Sequence, residues 1–253
     1  MVRAYLYKTI RSPLLYIGIL GVIAICFTMF NAITPYTHYS SVVEEIEAFL
    51  IFEQMYKIIP VFAALGFTAN FAEEWKSKAA MSAVARCGAF NYAIAQVIIC
   101  YISSVVIVFS GMMLFAGIYS FFLPIYYDNG NPLSQPYGVF VEMGVPILEI
   151  AAVVTVFAVS CAAWCVMGLM LSAFFPNKYI AICAPFAASY IIERPTLSLP
   201  APLNLWYIGS SMLQWDSAFL QFAYSVGIYT AIAAVCGTVF VIIVQRRFSC
   251  EFS

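Results

Sequence analysis

AEEWKSKAAMSAVARCGAFNYAIAQ, residues 72–96, is the stretch on which the reading of this chain turns. It is the one long polar break that carries several cations, Lys76, Lys78 and Arg86, and it separates two apolar runs long enough to cross a membrane. The segments on either side of it in sequence are acidic. Cationic loops are retained on the cytoplasmic side, so 72–91 is expected to be a cytoplasmic loop, and every other segment takes its side from this one.

Composition sets the class. Hydrophobic residues make up 64% of the 253 and charged residues 9%, where a soluble domain carries about 25% charged. The expectation is an all-α polytopic membrane protein, a single transmembrane domain over 1–253, in the cell membrane. A net charge of −1 with no basic patch excludes a nucleic-acid partner. Residues 1–13 resemble the charged start of a signal peptide, but no small-residue cleavage pattern ends the next apolar run, so this segment is read as retained. Eight cysteines lie in apolar runs or in segments placed inside the cell, without a C-x-x-C, and read as reduced, packed thiols.

Six segments reach or approach the ~20 residues that a helix needs to cross about 30 Å of hydrocarbon. They are 13–33, 49–71, 92–123, 146–175, 179–192 and 218–244. Residues 1–12 come before them as an amphipathic surface helix, with Val2, Leu6 and Ile10 on one face and Arg3, Lys8 and Arg11 around the other. Membrane lipid is therefore a partner. Pro60 is expected to kink the second span. The fifth is too short to cross alone, since Glu193-Arg194-Pro195 is expected to end it. Residues 193–217 are too apolar for an open loop and too broken by Pro200 and Pro202 for a span, so they read as extracellular re-entrant or surface helices. Gln245-Arg246-Arg247 closes the last span as a stop, and Ala233-x-x-x-Gly237 within it permits close helix approach.

Charge supports the topology. With both termini cytoplasmic, nine of the 11 cations fall inside, leaving Lys57 and Arg194, and only Glu73, Glu74 and Glu251 of the 12 acids do. Three ionisable residues fall on or beside spans. Glu53 and Lys57, four apart, are spaced for a helical ion pair that could contact substrate, lock two helices, or sit at headgroup level with the lysine snorkelling. Snorkelling is the plainest of the three. Glu149 lies in the first turn of its span, where the helix dipole favours a carboxylate; a proton relay is the alternative.

Several chemistries are excluded. No G-x-x-x-x-G-K-[ST] is present, so the chain has no P-loop of its own. His38 is the only histidine, which removes H-E-x-x-H, and no G-x-S-x-G occurs. Glu73-Glu74 with Lys78 approximates the EExxxR of intramembrane CAAX-type proteases, but lysine replaces the arginine and no histidine follows residue 38 to activate water.

The same stretch resembles the first cytoplasmic loop of type 2 family ABC transporter permeases. That loop reads EE-x-x-x-G, an amphipathic segment, then Arg-Pro and a polar turn into the third span. Glu73-Glu74, the apolar positions Ala79, Ala80, Met81, Ala83 and Val84, and Arg86 match in order and spacing. Lys78 stands for the usual glycine, Cys87 for proline and Gln96 for a common lysine. The resemblance extends to the basic surface helix, the six spans, the short fifth span and the broken helices after it. It implies the membrane subunit of an ATP-driven exporter, not itself an enzyme. Glu73, Glu74, Lys76, Lys78, Met81 and Arg86 would then couple it to a separate ABC ATPase subunit that binds ATP and Mg, and a second permease copy or a homologous permease would complete the pathway. The chain itself is expected to hold no cofactor and no metal. The cargo implied is amphipathic or hydrophobic: a peptide, a lipid or a drug-like molecule. The alternatives are a secondary transporter or channel and, less favoured, an intramembrane enzyme. A carrier usually buries charge at mid-span, whereas the ionisable groups here are expected near span ends.

Overall fold

Ser12 and Pro13 end one helix and begin the next. Ser12 is extended and its Oγ accepts from the Leu14 N–H at 3.3 Å. Proline at the start of a helix forfeits no hydrogen bond. Helix α1 (Val2–Arg11) and helix α2 (Pro13–Ile33) therefore meet at a 60° bend.

The structure is a computed structural model and describes residues 1–33, 41–52, 54–126, 137–213, 215 and 217–251. Among these residues every regular element is helical. After α2 come α3 (Val42–Phe52), a 3₁₀ turn (Gln54–Ile58), α4 (Ile59–Ala64), α5 (Asn70–Lys76), α6 (Ala79–Cys87), α7 (Ala89–Tyr119) and α8 (Val139–Glu142). Then follow α9 (Pro146–Phe174), α10 (Lys178–Thr196), a 3₁₀ turn (Ala201–Leu203), α11 (Leu205–Gly209) and α12 (Ala218–Glu251). Among the described residues α7, α9 and α12 are each long and apolar enough to cross a membrane, and α1 with the start of α2 adds a fourth if the bent pair is one span.

Helix α9 is the axis. Residues 156–166 are all buried, the signature of a helix surrounded by protein, and α7, α10 and α12 pack along it. Bilayer lipid is as apolar as a leucine side chain, so helices gain little by hiding apolar surface from it. Close packing over small residues must hold them together. Gly168 of α9 is such a contact: a Cβ there would stand 2.7 Å from the Ala181 carbonyl oxygen and 2.9 Å from the Pro185 ring of α10. Gly237 of α12 does the same against α7, where a Cβ would meet Val97 at 2.8 Å.

Two expectations change. The segment 49–71 is not one kinked helix but α3, a 3₁₀ turn, α4 and the start of α5, and Pro60 stands in the first turn of α4, where it breaks no hydrogen bond. Glu193-Arg194-Pro195 does not stop α10, which runs 19 residues to Thr196 with Pro185 and Pro195 inside it. Beyond Gln245-Arg246-Arg247 the helix α12 continues to Glu251. On α1 the protein covers Tyr5 and Thr9, one turn apart, and leaves Val2, Leu6 and Ile10 uncovered. Two ends can be told apart by charge: a basic end where α1, α5 and α6 meet the termini of α7, α9 and α12, and an acidic end where α3 meets the start of α9.

Candidate functional site

At the basic end, residues 70–96 form two short helices joined by a tight corner. Ser77 closes α5 by donating its Oγ to the Glu73 carbonyl oxygen at 2.9 Å. The chain then turns through Lys78, whose φ of 59° lies in the left-handed region that side chains other than glycine occupy at a cost. Helix α6 follows, with Ala80 and Val84 buried, Met81 and Ala83 partly buried against the core, and Ser82 and Arg86 exposed. Gly88, at φ 80°, ends it and opens α7.

The sequence-derived residues divide here. Glu73, Lys76, Lys78 and Arg86 are exposed. The Arg86 Nε donates back to the Ser82 carbonyl at 3.0 Å, which holds the guanidinium along its own helix. Glu74 points the other way, into the protein. Its carboxylate accepts from the Tyr5 hydroxyl at 2.8 Å, the Tyr92 hydroxyl at 2.9 Å, the Gln96 amide at 3.0 Å and the Lys8 ammonium at 3.1 Å. Lys8 also donates to Asn70 Oδ1 at 2.6 Å, and Asn70 donates to Gln96 Oε1 at 3.2 Å. Burial, and then the Glu74 charge, push the Tyr5 pKa up, so its hydroxyl stays a donor. Of the residues proposed for coupling, Glu74 thus ties α1, α5 and α7 into one joint and offers little to a partner.

Trp75 extends the joint to α12. Its ring lies 5.8 Å from Phe71 and 5.3 Å from Phe248, the Arg247 guanidinium stacks over it at 5.4 Å, and Phe71 meets Phe240 edge-on at 5.2 Å. The Arg247 Nη2 in turn donates to the Phe174 carbonyl at 2.8 Å, closing the last turn of α9. A displacement of α5 and α6 therefore reaches α1, α7, α9 and α12 through side chains in direct contact.

Away from the basic end, Lys57 and Glu193 form an ion pair between the 3₁₀ turn and α10, and both are buried. Tyr56 meets Phe157 edge-on at 5.7 Å, and Trp164 feels the Glu193 carboxylate and meets Tyr229 at 6.2 Å. Residues 157–164 are the middle of α9, so this charge pair lies at mid-bundle. That overturns two expectations: Lys57 does not snorkel, and not every ionisable group sits near a span end. Glu53, the expected partner of Lys57, lies outside the described residues. Glu149 is fully buried, and neither of its oxygens forms a well-shaped hydrogen bond; the groups facing it are the Glu47 carboxyl and the Tyr137 backbone.

Among the described residues no group of three or more His, Cys, Asp or Glu is placed to hold a metal ion, and all eight cysteines are free. The sequence reading missed Tyr5, Asn70, Tyr92 and Trp75. A signal existed for Tyr5: with Thr9 it forms an i, i+4 pair on the flank of α1 between its apolar stripe and Lys8. No protein-family model, curated protein or solved structure matches this chain.

Proposed function

We propose that this chain is the six-span membrane subunit of an ATP-driven exporter, resembling the type 2 family ABC permeases. Its termini and residues 72–91 face the cytoplasm, and α6 docks on a separate ATPase subunit. One observation carries the reading. The cation-bearing corner of α5 and α6 is fastened through Glu74 and Trp75 of α5 to four longer helices, as a lever between two polypeptides requires. The left-handed backbone at Lys78 supports the register of the resemblance, because that is the position where the pattern carries glycine, which adopts such a φ freely. The second pass is then the broken segment 49–71, from the end of α3 to the start of α5, the fifth is α10, and the turn and helix over 201–209 cap the fifth and sixth passes. Amphipathic or hydrophobic molecules, such as peptides, lipids or drug-like compounds, are the cargo this reading assigns. The pathway forms with a second copy or a related permease.

One observation favours a second reading, a carrier driven by a coupled ion: the buried Lys57–Glu193 pair against the middle of α9. Replacing Arg86 with glutamate, or deleting residues 76–85, separates the two. On the exporter reading both variants insert into the membrane but lose stimulation of a co-purifying ATPase. Transport that persists in the deletion, with no nucleotide hydrolysed, supports the carrier.

A further inference from the structure

The acidic end holds two carboxyls against one another. Glu47 comes from α3 and Glu149 from the first turn of α9. Glu149 is wholly buried, and one oxygen of Glu47 is buried without a hydrogen bond. The other titratable groups around them bring no positive charge. Glu44 and Glu45 lie on α3, Tyr119 on α7, Glu142 on α8, the buried Cys26 thiol on α2, and Tyr137 beside Glu149. The two cations that the charge pattern leaves on this side, Lys57 and Arg194, are engaged elsewhere, Lys57 with Glu193 and Arg194 with the Tyr190 hydroxyl. His38 lies outside the described residues.

We propose that Glu47 and Glu149 bind one proton between them, making the junction of α3 with α9 a proton-binding site whose occupancy decides whether α3 stays packed on the bundle. Two carboxylates facing one another, one wholly and one largely withdrawn from water, cannot both be ionised at modest cost. One keeps its proton and donates it to an oxygen of the other, and the pair titrates as a unit. Burial first, then the charges of Glu149 and Glu44, push Glu47 up to about 8, within reach of cellular pH. When the proton leaves for water, two negative charges remain at the junction. The start of α3 is held by apolar burial of Val42, Val43 and Ile46, by a reciprocal cap between Ser41 and Glu44, and by the Val42 and Val43 N–H groups donating to the Pro124 and Ile125 carbonyl oxygens at 3.1 and 3.2 Å, and none of these compensates a second negative charge. An apolar cleft lined by Val42, Met113, Gly117, Ile125, Ile147 and Ile150 lies beside them, so the helix has room to move.

Because folding raises this carboxyl's pKa, its contribution to stability is complete below the ordinary carboxyl range and is lost as pH rises through about 8. The test uses the full chain in detergent, melted at about pH 5 and about pH 9, with infrared spectra across the same range. The wild type should lose several degrees of Tm on going alkaline. Glu47→Gln and Glu149→Gln should each flatten that loss, and a protonated-carboxyl band should fade on titration and be missing when both residues are replaced by glutamine. If the amide variants do not fold, the wild-type infrared band alone decides. A flat melting profile with no such band overturns the proposal. So does stabilisation at about pH 9 by sodium over choline with both carboxyls ionised, since the pair would then hold a metal cation.

Discussion

Glu74 and Glu149 are carboxylates withdrawn from water at opposite ends of one bundle, and the structure treats them in opposite ways. Glu74 is met by four donors from α1 and α7. Glu149 meets another carboxyl and no well-formed donor. A charge in a low-dielectric interior is stable only when donors or cations surround it. The basic end therefore builds a joint whose carboxylate is met by donors and a cation, while the acidic end builds one that must take up a proton to stay closed. The Lys57–Glu193 pair stands between them, paired but without the ring of donors around Glu74.

Three substitutions sharpen the contrast, each read by thermal melting in detergent. The largest effect belongs to Lys57→Ala. It leaves Glu193 buried without its cation, which costs about 3–5 kcal/mol, whereas Lys57→Met combined with Glu193→Leu restores most of that loss. If Lys57→Ala alone costs no more than a surface change, the pair is open to water. Glu74→Ala follows at about 2–3 kcal/mol, because four donors lose their acceptor together. It should also free α1, seen as faster protease cleavage before residue 12, and an α1 held as before would break the joint assigned to Glu74. The smallest effect is Lys78→Gly, which should stabilise by about 0.5 kcal/mol, the relief of a left-handed residue less the added freedom of the unfolded chain. Destabilisation there would mean that the corner before α6 is built differently.

The sequence carried the membrane class and the long helices, because an apolar run of about 20 residues has few other uses. It also marked α6, through the small apolar positions Ala79, Ala80, Met81, Ala83 and Val84 ahead of Arg86 on which the resemblance rests. It misplaced what depends on three-dimensional partners. Pro60 signals a kink on its own, yet at the start of α4 it costs nothing. Glu193-Arg194-Pro195 reads as a stop only until Lys57, 136 residues earlier, is brought against Glu193. Glu74 looked like part of an exposed charged loop because its four donors are scattered between residues 5 and 96. Spacing shows which residues share a helix face; it does not show which distant side chain fills the space opposite.

The claim on which the proposed function depends is that α6 meets an ATPase subunit on the cytoplasmic side. A photocrosslinking residue in place of the exposed Ser82, illuminated in intact cells, tests it most directly. The account predicts a crosslink to one nucleotide-binding polypeptide, lost when Lys76, Lys78 and Arg86 are all replaced by glutamate. A crosslink to lipid alone, or a position 82 that reacts with impermeant reagents from outside the cell, would contradict it.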